Sequence, residues 1–357
     1  MEKKEYRRDD PNVPLLAVDG LSVSFQMYDN TFEQRALQVI SELHLQVHAG
    51  EIVAIAGASG SGKSLLAAAI LGILPENATA AGELRYKGQL LVPKLQKQLS
   101  GTEIALVPQS VDFLDPLMRA GAQADGHRKP RPTKERRRLF QRLDLPKDTE
   151  KCYPYQLSGG MARRVLVSTA LLADAQLIIA DEPTPGMSLE QALAALKMFR
   201  QMADDGRAVV LITHDIDLAV SFADRIAVFY AGTIVEIANA QDFKEGPNAL
   251  RHPYSKALWR ALPQNGFEPI AGSQPYAGRL PKGCLFAPRC SRSTPQCAQK
   301  APSMRALRGG EVRCFYAHGR PKEQCQQKLT DARRGSRGAH KQAVQDEDSK
   351  YSVAKQL

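Results

Sequence analysis

The 357-residue sequence predicts an α/β fold organised around a phosphate-binding loop, and three observations carry the prediction. Gly57-Ala-Ser-Gly-Ser-Gly-Lys-Ser64 stands between an apolar run, Glu51-Ile-Val-Ala-Ile-Ala56, and a helical pattern, Leu65 to Leu71. Three more short apolar runs each end in polar residues: Ile104 to Gln109, Leu177 to Asp181-Glu182, and Ala208 to His214. Helical patterns lie between these runs, and strands alternating with helices favour a parallel sheet covered by helices.

A strand, a glycine-rich turn and a helix are the setting in which a backbone cradles phosphate. Gly57, Gly60 and Gly62 allow the tight bend. The N–H groups of Ala58, Ser59 and Ser61 then turn inward with theirs as a nest for phosphate oxygens. The positive end of the following helix adds to the field. Lys63 is placed to reach the β- and γ-phosphates, and the Ser64 hydroxyl to ligate Mg²⁺.

Hydrophobic content of 43% and charged content of 24% are those of a soluble globular protein. No apolar run is long enough to span a bilayer, and the charged first ten residues do not read as a secretory signal. The expectation is a cytoplasmic protein that meets a membrane only through a partner. The net charge of +10 is not spread evenly: residues 279–325 hold ten Lys/Arg against two Asp/Glu. Such a segment suits nucleic acid, anionic lipid or an anionic cofactor, or serves only as a solubilising surface.

Taken in order, residues 1–14 read as a mobile arm, and Leu16 to Phe25 and Leu43 to Val47 alternate as strands. Phe25, with Tyr28 as second choice, lies where a ring could stack on adenine, although core packing would serve as well. Gly82 to Gly88 reads as strand and turn, and a helix is expected near Lys134–Leu145. Its Arg136, Arg137 and Arg138 read as a solvated face. Leu157-Ser-Gly-Gly-Met161 precedes another helix, so Ser158, Gly159 and Gly160 also suit phosphate contact. Asp181 and Glu182 end a strand near the loop, where a metal shell and an attacking water need an acid. Asp181 is assigned to the Mg²⁺ shell through water, and Glu182 as the base. His214 is placed to bond the γ-phosphate or the water. Ile226–Tyr230 and Ile234–Ile237 read as a closing β-hairpin.

The ordered set of phosphate loop, Gln109, Leu157–Met161, Asp181-Glu182 and His214 resembles the ATP-binding cassette (ABC) family over about residues 15–240. The resemblance implies a RecA-like P-loop core, an N-terminal antiparallel β subdomain and a helical insert at about 110–160. It implies an ATP hydrolase in which two cassettes sandwich two ATP molecules. Ser158, Gly159 and Gly160 would then act on the partner's nucleotide. Gln109 would sense Mg²⁺ and the γ-phosphate and pass the state to a membrane partner. Beyond residue 249, His252-Pro-Tyr-Ser-Lys-Ala-Leu258 and Gly283-Cys-Leu-Phe-Ala-Pro-Arg-Cys290 resemble the extension of peptide, dipeptide and nickel importer ATPases. That implies a cassette at 15–248 and an extension at 249–320; the basic tail at 321–357, rich in Gln, Lys, Arg and Ser with almost no apolar periodicity, reads as disordered. The resemblance also implies a second ATPase subunit in a heterodimer, two permease subunits, an extracytoplasmic binding protein, and a place on the cytoplasmic face of the membrane. A soluble cassette ATPase acting on nucleic acid is the alternative. The slightly acidic cassette body and the lack of an aromatic-rich basic stripe oppose it, so no nucleic acid is expected. One departure stands out: Ser188 replaces the aspartate that relatives carry after Pro183-Thr184, so weaker or asymmetric coupling between sites is expected.

Four of the six cysteines crowd into residues 284–314, at Cys284, Cys290, Cys297 and Cys314. In a cytoplasmic protein such clustering points to metal rather than disulfides. No Cys-x-x-Cys pair is present, so a [4Fe–4S] cluster is the first expectation, with zinc or no metal as alternatives. Arg289, Arg292 and Arg313 would offset the cluster's charge. Cys152 and Cys325 stand apart.

Overall fold

A computed structural model describes residues 13–28, 34–126 and 133–317. Most of the N-terminal arm, the tail at 321–357 and Cys325 lie outside the described residues.

The core is an eight-stranded sheet whose centre is parallel. Ile52–Ala56 (β3) pairs with Ala208–Thr213 (β8) on one side and Arg225–Tyr230 (β9) on the other. Leu177–Asp181 (β7) joins β8, and Ile104–Val107 (β6) joins β7. Every residue of β3, β7 and β8 is buried, because helices cover both faces of a parallel sheet. This is why these strands read as unbroken apolar runs and not as alternating ones. Thr233–Asn239 (β10) turns back antiparallel on β9, as the hairpin reading expects.

The second sheet is antiparallel: Leu16–Tyr28 (β1) lies between Gln34–Val47 (β2) and Ala78–Tyr86 (β4), with Gln89–Leu90 (β5) at the edge. This is the expected β subdomain, with β2 starting nine residues before the stretch that alternates in sequence. One hydrophobic cluster combines this sheet with Lys63–Leu71 (α1) and one face of the core sheet. A second cluster joins the opposite face to the remaining large helices, including Gly159–Leu172 (α5) and Leu189–Asp204 (α6).

Between β6 and α5 lies the expected insert, carrying the short helices Ala120–Asp125 (α3) and Thr133–Arg142 (α4); Pro93–Leu99 (α2) precedes β6. The reading of Arg136 as solvated is corrected. Its guanidinium is held by Asp125 and, at 3.1 Å, by Glu150, with only 13% of the side chain exposed. Arg137 stays in solvent at 63% and also pairs with Glu150. The pairing locks α4 to the insert.

After Ile216–Phe222 (α7) and Ala240–Glu245 (α8), the chain enters the C-terminal extension through Pro253–Arg260 (α9), capped by His252, whose Nδ1 accepts from the Tyr254 N–H at 3.0 Å. The extension is not a separate lobe. After Pro295–Gln299 (α10), the hairpin Arg305–Leu307 (β11) and Gly310–Val312 (β12) adds to the edge of the core sheet beside β10.

Candidate functional site

The carboxyl ends of adjacent parallel strands converge, which is where ligands bind in open α/β sheets. The loop after β3 reaches α1 through Gly62, whose φ of 102° requires glycine. Gly57 has no room for a side chain, since a Cβ there would lie 2.4 Å from the Phe229 carbonyl oxygen. The loop therefore sits directly on β9. Gly60, at φ 72°, faces open space.

Lys63 Nζ donates to the carbonyls of Gly57 and Ala58, both at 2.9 Å. Burial pushes its pKa down, and the carboxylates of Glu182 and Asp181 oppose the shift. Burial also pushes the Asp181 carboxyl up, while a hydrogen bond from Ser64 pulls it back. Ser61 Oγ and Asp181 Oδ1 are buried and have no hydrogen-bond partner among the described residues. Buried polar atoms are normally satisfied. Two orphans beside a cationic lysine and an exposed Ser64 fit a bound phosphate chain and its Mg²⁺. Ser64, Gln109 and Asp181 line one cleft, so the three expected metal-shell residues come together.

Glu182 follows β7 with a left-handed backbone, φ 48°, which costs a non-glycine residue about 1–3 kcal/mol. Its N–H bonds the Ile212 carbonyl of β8 at 2.9 Å, which ties the turn to the neighbouring strand. The turn brings Glu182 Oε2 to 2.8 Å from His214 Nδ1. Glu182 is buried and His214 half exposed, so the dyad is closed on the carboxylate side and open on the imidazole side. A buried carboxylate fixed by an imidazole at the mouth of a phosphate loop is equipped to take a proton from water.

Ser158 and Gly159 lie exposed at the start of α5, with Ser158 accepting from the Met161 N–H at 3.3 Å. They do not join the cleft of their own loop. Gly160 is different: a Cβ there would lie 2.7 Å from the Gly186 carbonyl, so the turn after β7 packs on this helix start. Ser188 caps α6, accepting from the Gln191 N–H, and Gln191 returns a contact to the Ser188 N–H. Phe25 lies in β1, partly buried against the apolar cluster; the Tyr28 side chain lies outside the described residues.

Arg163 was not foreseen, and Arg289 was expected only as a counter-charge to the cysteines. Arg163 on α5 donates to the Pro108 carbonyl at 2.8 Å and lines the same cleft as Gln109 and Asp181. It joins the segment carrying Gln109 to the helix carrying Ser158. Its only sequence signal is an arginine pair in an otherwise apolar helix. Arg289 borders a hollow with Gly57, Ala58 and His214, and its guanidinium is held by the Ile270 and Ala271 carbonyls, both at 2.9 Å.

The four clustered cysteines line one small cavity. Burial, with the neighbouring cysteines adding to it, pushes the Cys284 thiol up to about 11 and also raises Cys314. Zinc requires ligands converging within about 2.3 Å of one point. Among the described residues no group of three or more His, Cys, Asp or Glu could hold a metal ion. As they stand, the four thiols do not converge on a single ion, whichever metal it is. Cys152 lies elsewhere, its thiol toward the Asp148 carbonyl.

Comparison with known proteins decides the family. The ABC transporter profile matches residues 40–185, and the profile of the oligopeptide/dipeptide transporter C-terminal region matches 235–297. The chain is 32% identical over 321 residues to the oligopeptide transport ATP-binding protein OppD of Salmonella typhimurium, covering 84% of this chain and 93% of OppD. It is 34% identical over 323 residues to the dipeptide transport ATP-binding protein DppD of Escherichia coli, covering 85% and 96%. The chain is an ABC transporter ATPase. A dimeric structure of the ATP-binding cassette MJ0796 shares the cassette fold, with a TM-score of 0.56 at 24% identity over 63% of this chain and 98% of that one. As an ABC transporter ATPase the chain hydrolyses ATP. No described helix is long and apolar enough to cross a membrane.

Proposed function

We propose that this chain is the ATP-hydrolysing subunit of an importer for oligopeptides or dipeptides, peripheral to the cytoplasmic face of the membrane. The match of its C-terminal region and the named relatives support peptide cargo over a nickel chelate. Two permease subunits and an extracytoplasmic binding protein complete the complex. A second cassette subunit supplies the closing residues, and unequal sites in a heterodimer agree with Ser188.

The 2.8 Å contact between Glu182 and His214 carries the mechanism. Gly57, Ala58, Ser59, Gly60, Ser61 and Gly62 present N–H groups to the phosphates, Lys63 pairs with them, and Phe25 lies against the adenine. Glu182 takes the proton of the attacking water, and His214 holds that carboxylate in place. Ser64, Gln109 and Asp181 would hold Mg²⁺, which supplies positive charge to the phosphate oxygens. Ser158, Gly159 and Gly160 close on the partner's nucleotide, which their exposure supports. Capture of the tagged chain from membranes tests the assembly: permease subunits should co-purify, and recovery with nucleic acid alone would overturn it.

The cysteine cavity is read as a [4Fe–4S] site, held by Cys284, Cys290, Cys297 and Cys314. Four thiols around one cavity are the donor set such a cluster takes, so these four would hold it. Its role is to staple the small extension. Anaerobic purification with iron and sulfide analysis tests this, and a colourless, iron-free protein of native stability would reject it.

A further inference from the structure

A groove runs between β2, β10 and the extension, and it shares Cys284 and Phe286 with the lining of the cysteine cavity. Two buried side chains that line it each leave one polar atom without a partner among the described residues. Thr233 is 3% exposed and Arg313 9% exposed, and neither Thr233 Oγ1 nor Arg313 Nε has a hydrogen-bond partner among the described residues. The Arg313 backbone is fixed, its N–H bonding the Val235 carbonyl of β10 at 2.9 Å. Its guanidinium donates through Nη2 to the Glu42 carbonyl at 2.8 Å, while the Glu42 carboxylate stands 3.8 Å from Nη1 and is largely in solvent. A guanidinium has five N–H donors in a planar fork, and the Nε–H is one that no described residue takes. Leaving a charged donor buried and unpaired is costly, so such a group in a native protein calls for a partner.

The surroundings narrow that partner's chemistry. Lys282 stands exposed at the rim, so Arg313, Lys282 and Glu42 together give the groove one net positive charge. That balance suits a monoanion, and the Glu42 carboxylate opposes a dianion such as phosphate. A planar carboxylate matches the fork of donors, with the Thr233 hydroxyl as a further one. Leu280, Leu285 and Phe286 make the adjoining wall apolar. We propose that this groove binds a small ligand bearing one carboxylate, held by Arg313 and Thr233, with its apolar part against Leu280, Leu285 and Phe286. The site is built to influence the ATP site. Its β2 wall carries Gln38, Ser41 and Glu42, and between them Val39 Cγ1 lies 3.2 Å from where a Cβ of Gly62 would stand. The Ser41 N–H bonds the Gly232 carbonyl at 3.0 Å. A ligand that draws Arg313 toward itself acts on the strand against which the phosphate loop rests.

Calorimetric titration of the full-length chain with N-acetylphenylalanine, its amide and inorganic phosphate tests the site. The acid should bind, and the amide and phosphate should bind at least tenfold more weakly. Arg313→Met and Thr233→Val should each weaken the acid; for Arg313 the loss should be about tenfold or more, as for a charged hydrogen bond. Because Arg313 also holds Glu42, the near-isosteric Thr233→Val and the rim variant Lys282→Ala keep the test independent of folding. Equal affinity for acid and amide would overturn the assignment. So would an Arg313→Met protein that binds the acid normally but loses iron or sulfide, since Arg313 would then serve the cysteine cavity. ATP affinity measured with and without the acid should differ, and by the same factor the acid's affinity should change with ATP. Binding with no such change would overturn the link to the phosphate loop.

Discussion

Arg251→Met should detach the extension from the cassette at a cost set by the burial of one ion network. Arg251 is 1% exposed and Glu236 of β10 is 0% exposed. Arg251 Nη1 lies 3.3 Å from Glu236 Oε1 and 2.8 Å from Asp242 Oδ2. Its Nε donates to the Leu307 carbonyl at 2.5 Å, and its Nη2 to the Arg308 carbonyl, in the turn between β11 and β12. A Cβ on Gly310 would lie 2.7 Å from Arg251 Cζ, so the hairpin closes directly over the guanidinium. Methionine fills much of the volume but leaves Glu236 with only the Arg251 and His252 N–H groups, at 2.8 and 2.7 Å, to offset a buried charge. Breaking a buried pair from one side costs about 3–5 kcal/mol. Urea unfolding should show that loss, and limited proteolysis should cut first near the β11–β12 hairpin. Adding Glu236→Gln should recover part of it by removing the unpaired charge. A loss below about 1 kcal/mol, the range of an exposed pair, would refute the reasoning.

Three further outcomes are expected. Burial pushes His252 down to about 3, so the folded protein keeps it neutral where the unfolded chain, at the ordinary value of 6.5, takes up a proton. Its contribution is complete above pH 6.5 and is lost as pH falls toward 3, by about 1.4 kcal/mol per unit. Urea unfolding at pH 7.5 and 5.5 should show a slope that His252→Asn, which can still cap α9, reduces; an unchanged slope would count against it. Ser188→Asp should leave stability unchanged, because aspartate caps a helix as well as serine, yet alter the dependence of turnover on ATP. No change in cooperativity or turnover would remove Ser188 from the coupling. Gly160→Ala should force the Gly186 carbonyl away from α5, costing about 1–3 kcal/mol and lowering turnover more than ATP affinity in the assembled complex. Normal turnover would show that this contact is dispensable.

The central strands were readable because a parallel sheet buried on both faces needs continuous apolar residues, and β3, β7 and β8 are apolar up to their last residues. Their polar terminal residues were readable for the same reason: Asp181, Glu182 and His214 interrupt those runs where they leave the core. The long β1–β2 pair was only half visible, since its outer ends carry residues such as Gln26 and Arg35 that show no alternation. Arg136, Arg163, Arg251 and Arg313 were illegible as a class. Their partners lie outside their own elements, nine residues away for Arg251 and Asp242 and far along the chain for Arg163 and Pro108 or Arg313 and Glu42, and local pattern says nothing of such pairs. The hairpin of β11 and β12 was missed because two three-residue strands, one of them beginning with a glycine, do not form a periodic signal.

Glu182→Gln in the assembled transporter measures the central chemistry most directly. The amide keeps the shape and a hydrogen bond to His214 but cannot accept a proton from water. ATP binding should persist within a few-fold, while hydrolysis should fall by about 10²–10⁴, the contribution of a positioned general base. Turnover within a few-fold of the unmodified protein would contradict the assignment of Glu182 as the base.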